Sequence, residues 1–97
     1  MTTFISLMNF TDQGIRNVKE SPNRAEAFKT MAHNAGVTVK ELYWTVGQYD
    51  VVAILEGPDD EAITSALMGL CSLGNMHTQT LRAFSAEEMG GIIANTP

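Results

Sequence analysis

Residues 51–55 read Val-Val-Ala-Ile-Leu, five apolar positions in succession between Asp50 and the breaker sequence Gly57-Pro58. A run this short suits a strand, and because strand side chains alternate between two faces, neither face of this one suits water. Phe4 to Phe10 behaves the same way, with Phe4, Met8 and Phe10 on one side and Ile5 and Leu7 on the other. The chain must therefore build a sheet whose central strands are covered on both faces.

The rest of the chain supplies helices and edge strands in a fixed order. After the first strand, Thr11 is a plausible N-cap, and Ile15, Val18, Pro22, Ala25, Phe28, Ala32 and Ala35 recur at steps of three and four. This spacing predicts one long amphipathic helix, kinked or restarted at Pro22 with Ser21 as its cap and stopped at Gly36. Val37 to Val46 and Asp50 to Glu56, joined through Gly47-Gln48-Tyr49, read as an antiparallel hairpin. Asp59, Asp60 and Glu61 open a second helix where its dipole favours negative charge, with Ile63, Ala66, Leu67, Leu70 and Cys71 as the buried stripe and Gly74-Asn75 as the stop. Met76 to Phe84 is a fourth strand. Ser85 and Glu88 form a capping box for a short terminal helix over 86–95.

The order β, α, β, β, α, β, α predicts an α+β, ferredoxin-like βαββαβ sandwich with a short C-terminal helix and an antiparallel sheet ordered 4-1-3-2. Both long helices fall on one face of that sheet. A second copy of the chain is the expected cover for the other, giving a homodimer or a higher homo-oligomer.

With 97 residues the chain is expected to form a single domain, 1–97. Six basic residues against eleven acidic ones, with no Lys/Arg cluster, lack the footprint that phosphate backbones require, so no nucleic-acid partner is expected. No signal-like or membrane-spanning stretch is evident, and the expected location is cytoplasmic. Cys71 is the one cysteine, which agrees with a reducing compartment. His33 and His77 stand far apart, no H-E-x-x-H or C-x-x-C occurs, and the glycines form no phosphate-binding motif. Neither a metal nor a cofactor is expected.

Candidate binding residues are Trp44, Tyr49, Asp50 and Arg82, polar-tipped or charged groups set in or beside apolar strands, where such groups need partners. In the functional reading Trp44 is a pocket wall, Tyr49 a hydrogen-bond donor and Arg82 the anchor for a small anionic ligand. In the structural reading Asp50 is a turn residue and Arg82 its neutralising neighbour.

At Thr11-Asp12-Gln13-Gly14, Tyr43-Trp44-Thr45, Gly47-Gln48-Tyr49-Asp50, Ser72-Leu73-Gly74-Asn75, Leu81-Arg82-Ala83-Phe84 and Glu87-Glu88-Met89 the chain resembles GYD-domain proteins. The naming Gly, Tyr and Asp fall on Gly47, Tyr49 and Asp50. The resemblance implies a dimeric α+β barrel and no established reaction. Similar barrels include cofactor-free monooxygenases, isomerases and ligand-binding modules of transcription factors, an analogy of fold alone. Two readings follow: a small-molecule-binding module with its pocket between sheet and helices, or a cofactor-free enzyme. A paired acid and base in one cleft favours the enzyme, and a closed apolar pocket anchored only by Arg82 favours the binder.

Overall fold

The computed structural model describes residues 1–97. The chain runs β1 (Thr2–Phe10), α1 (Asp12–Arg16), a 3-10 turn (Val18–Glu20), α2 (Ser21–Asn34), β2 (Thr38–Trp44), β3 (Val51–Gly57), α3 (Asp60–Ser72), β4 (Met76–Ala83) and α4 (Ala86–Ala94). The strands form one antiparallel sheet in the order β2-β3-β1-β4, so the two strands with apolar residues on both faces lie at its centre. This is the ferredoxin-like arrangement.

Register divides the sheet into two chemically distinct faces. Toward the helices lie the rows Arg82–Phe4–Leu55–Val39, Thr80–Ser6–Ala53–Leu42 and Thr78–Met8–Val51–Trp44. Their inner members Met8, Val51, Ala53 and Leu55 pack with Phe28 and Ala32 of α2 and with Ile63, Ala66, Leu67 and Leu70 of α3 to form the core. Ser6 is fully buried among them, its hydroxyl satisfied by those of Thr78 and Thr80 at 3.2 and 3.3 Å. On the opposite face, the rows Leu81–Ile5–Ile54–Glu41 and Gln79–Leu7–Val52–Tyr43 have no helix over them.

The first helical region differs from one continuous helix. It breaks at Asn17, before Pro22, and α2 begins at Ser21 with Pro22 in its first turn. Apolar spacing continues through Ile15 and Val18, but both side chains are exposed, so no burial holds a helix straight across them. Ser21 does not cap α2; its hydroxyl accepts the Trp44 indole N–H instead, at 2.9 Å.

The α1 segment is fixed by contact with the turn between α3 and β4. Thr11 N–H donates to the Asn75 carbonyl at 3.0 Å, Thr11 Oγ1 to the Gly74 carbonyl at 2.6 Å, and Gln13 Nε2 to the Leu73 carbonyl and Asn75 Oδ1 at 3.1 and 2.9 Å. A side chain at Gly14 would place Cβ 2.0 Å from the Asn75 carbonyl oxygen, so only glycine allows this approach. Two segments some sixty positions apart in sequence thus form one latch.

The terminal helix α4 carries the capping box read from sequence: Ser85 Oγ accepts the Glu88 N–H, and Glu88 Oε1 accepts the Ser85 N–H. That bond, with the positive Arg82 nearby, holds the Glu88 carboxyl below the usual carboxylate range. None of the residues of α4 is buried, and Met89, Ile92 and Ile93 are exposed. The molecule measures 49 × 31 × 18 Å with a radius of gyration of 14.5 Å. A compact chain of this length has a radius of about 12.5 Å, so the fold is extended.

Candidate functional site

A cavity of about 330 Å³ lies between α2 and the end of the sheet nearest the β2–β3 hairpin. The Trp44 and Val51 end of the hairpin, Met8 of β1 and Met76 of β4 form its sheet wall, and α2 covers it with Ala25, Phe28 and Met31. Leu70 and Leu73 close the side toward α3. Its size falls at the lower end of small-molecule pockets.

Eleven of the fourteen lining residues are hydrophobic, and the other three are Ser21, Arg24 and Asn75. Arg24 is therefore the single charged side chain on the cavity wall. Its Nη1 and Nη2 donate to the carbonyls of Asn17 and Gly14 at 2.8 and 3.2 Å, which draws the break after α1 against the start of α2. No carboxylate pairs with it; the one ion pair in the chain joins Lys29 to Glu26. Ser21 is only 7% exposed, and its oxygen accepts from Trp44 while its own proton has no acceptor in the protein. Asn75 lines the cavity and is held by Gln13 through Oδ1, and its amide N–H groups have no partner in the protein. Trp44 lines the cavity, is 48% exposed and donates its indole N–H to Ser21.

The four residues named from sequence occupy three different settings. Trp44 lines the cavity. Asp50 ties the hairpin to the end of β1: Oδ2 accepts the Phe10 N–H at 2.9 Å and the Asn9 amide at 3.4 Å, and its own N–H donates to the Met8 carbonyl. Tyr49 reaches over the helix-free face, where its hydroxyl donates to Gln79 Oε1 at 2.8 Å. Thr45 Oγ1 closes the hairpin on the Tyr49 carbonyl at 2.6 Å, and Gly47, at φ 129°, makes the turn. Arg82 sits at the far end of the sheet, donating to the Thr3 and Ala83 carbonyls, with its guanidinium 4.4 Å from the centre of the Phe84 ring and 5.9 Å from that of Phe4. Phe10 and Thr3 are seven positions apart on β1, about 23 Å at strand spacing, so Arg82 does not meet Asp50. Arg82 instead borders a shallower groove against α3 that also contains Cys71. Burial pushes the Cys71 thiol up, opposed by a hydrogen bond from the Thr78 backbone.

Sequence reasoning passed over Arg24, Ser21 and Asn75 as cavity residues. One signal was available: Arg24, Phe28 and Met31 follow helical spacing, which places a cation on the stripe that packs inward. No group of three or more His, Cys, Asp or Glu side chains is arranged to hold a metal ion, and no helix is long and apolar enough to cross a membrane.

The family model for the GYD domain matches residues 4–93. A Thermus thermophilus protein named glutamine synthetase and cystathionine beta-lyase binding protein is 32% identical over 90 residues, covering 92% of this chain and 95% of its own. A crystal structure from the same organism superposes with a TM-score of 0.58 at 28% identity, covering 89% of this chain and 96% of that one. The fold also matches a feast or famine regulatory protein from M. tuberculosis complexed with L-methionine, with a TM-score of 0.66 at 15% identity. That match covers 89% of this chain and 52% of the regulator, and at such identity it speaks for the fold alone.

Proposed function

The chain belongs to the GYD domain family, and on that premise we propose that it is a self-associating module that binds a small molecule in the cavity beneath α2. The observation that carries this reading is the composition of the cavity wall: apolar on most sides, with Arg24 as its one ionisable group. Arginine stays protonated throughout the physiological range, so it supplies a fixed charge rather than a proton-exchanging partner. General acid–base chemistry needs a group that titrates near the working pH, and the wall offers none, which favours binding over catalysis.

Self-association is supported by the helix-free face. Four strands at about 4.8 Å by seven residues at about 3.3 Å give a flat area of about 440 Å² per copy. Two such faces total about 900 Å², just short of the roughly 1,000 Å² expected of a specific interface. The exposed apolar side chains Met89, Ile92 and Ile93 of α4 add to it if α4 crosses onto the second copy. The centre of the face is Ile5, Leu7, Val52 and Ile54, an apolar patch with a polar border at Glu41 and Gln79.

A thermal-shift screen of small molecules against the native protein and against Ala25→Phe, which fills the cavity from α2, tests the binding reading. A ligand at about 100 times its dissociation constant stabilises by about 2.7 kcal/mol. The shift should appear in the native protein and vanish in Ala25→Phe; ligands that stabilise both equally act elsewhere and refute the reading.

The name of the Thermus thermophilus relative supports a second reading, docking onto other proteins, and the exposed apolar side of α4 is the feature that favours it. Biosensor binding to purified glutamine synthetase, lost on Ile92→Asp, is the expected result. No binding to that enzyme or to cystathionine beta-lyase rules it out.

A further inference from the structure

The geometry points to a ligand class for the cavity beneath α2: a small apolar molecule ending in a carboxylate, seated with that group among Ser21, Arg24 and Asn75. This rests on the cavity-binding reading above and adds the head group that the cavity selects.

Hydrogen-bonding capacity at the cavity wall is one-sided. Its acceptors are engaged: Ser21 Oγ takes the Trp44 N–H, Asn75 Oδ1 takes Gln13 Nε2, and the carbonyls of Asn17 and Gly14 take Arg24. Its donors are left over. The Ser21 proton, the Asn75 amide hydrogens and the remaining guanidinium N–H groups have no acceptor, and Ser21 is almost wholly removed from solvent. A carboxylate carries only acceptors and suits the planar fork of arginine. It also neutralises a cation that no protein carboxylate reaches. An ammonium head group would meet the Arg24 charge and find only acceptors that are already engaged once. A hydroxyl could accept from two donors at most, would bring a proton of its own, and would leave the charge unmatched.

Size sets the body of the ligand. At about 30 Å³ per water-sized group, a cavity of about 330 Å³ holds a molecule of about ten or eleven non-hydrogen atoms. The walls that meet it are Met8, Phe28, Met31, Leu42, Val51 and Met76, flexible or flat side chains that suit an alkyl chain or a single ring. The apolar wall, with Arg24 and Asn75 both set against Gly14, gives the ligand one polar end.

Octanoate, octanol and octylamine share one chain and differ in the head group, so they separate the two parts of the proposal. Binding is read by quenching of Trp44, the chain's one tryptophan, and confirmed by calorimetry. Hydrogen bonds to a charged group contribute about 1.5–3 kcal/mol, so octanoate should bind at least about tenfold more tightly than either analogue. Arg24→Gln should remove that preference, lowering octanoate affinity at least about tenfold more than octanol affinity, with Arg24→Lys restoring part of it. Equal binding of octanoate and octanol, or preference for octylamine, overturns the head-group assignment while leaving the cavity a binding site. Failure of all three to bind overturns the cavity reading itself. Loss of the octanoate preference in Arg24→Gln without loss of the native fold, read by circular dichroism, is required for the Arg24 role, and Ser21→Ala, which also frees the Trp44 indole N–H, should give a second, smaller loss of octanoate affinity read by calorimetry.

Discussion

Replacing Gly14 with alanine tests the latch that sets the cavity rim. The added Cβ would stand 2.0 Å from the Asn75 carbonyl oxygen, 2.9 Å from its carbon and 3.2 Å from its Cα, all backbone atoms that cannot rotate away. Relief requires α1 and the α3–β4 turn to separate by about an ångström or more, as forced overpacking generally costs about 1–3 kcal/mol. That movement stretches, without breaking, the bonds from Thr11 and Gln13 to residues 73–75 and the Arg24 bond to the Gly14 carbonyl, and together they lose about 1–2 kcal/mol. Alanine returns up to about 1 kcal/mol through its better helix propensity. The net loss is about 2–4 kcal/mol, a fall in melting temperature of roughly 10–30 °C for a chain of this size. Gly90→Ala is the internal control. It lies in α4, its Cβ would meet nothing within 4 Å, and it should stabilise by about 0.5–1 kcal/mol. Thermal unfolding by circular dichroism reads both. If Gly14→Ala melts within a few degrees of the native protein, the latch does not hold the rim as described.

Three further perturbations probe other parts of the fold. The Glu88 carboxyl is held low by its bond to the Ser85 backbone, so its contribution is present above the ordinary glutamate range and lost as pH falls through the lowered value. Helical signal from α4 should therefore decline on acidification in the native protein and be already reduced, with a flatter pH profile, in Glu88→Gln. Cys71, with its thiol pushed up by burial, should react slowly with a thiol reagent at neutral pH and speed up only in alkali, and Cys71→Ala should cost on the order of 1 kcal/mol in denaturant unfolding. Asp50→Ala removes the acceptor of the Phe10 N–H at the mouth of the hairpin and should destabilise by about 1–3 kcal/mol. Asp50→Asn, which keeps an acceptor oxygen, should lose much less; equal losses would show that charge rather than the hydrogen bond matters there.

Strand identity and sheet order were legible because they depend on local pattern. The five apolar residues from Val51 require a central strand, and the capping box at Ser85 and Glu88 marks a helix start wherever the chain then goes. The break after α1 was not legible. It is set by Gly14 pressed on Asn75 and by Arg24 turned onto the carbonyls of Gly14 and Asn17, contacts between segments that periodicity treats separately. The same holds for the site. Trp44 was found because an indole beside an apolar strand needs a partner, but that partner, Ser21, reads locally as a helix cap. Arg82 was conspicuous as a cation in a strand, yet register places it at the end of the sheet opposite Asp50. Arg24 was passed over, although its spacing with Phe28 and Met31 sets it on the inward stripe of α2, and the fold places it on the cavity wall.

Self-association and carriage of a small molecule beneath α2 are the two properties on which the proposed function stands. Native mass spectrometry of protein purified without denaturation, at micromolar concentration, measures both at once. We expect a homo-oligomer, at least a dimer, carrying a small bound mass that is absent from Ala25→Phe, while Ile54→Lys on the open face yields monomer. A native protein that is monomeric and free of bound mass, and remains unliganded after incubation with octanoate, would contradict that function.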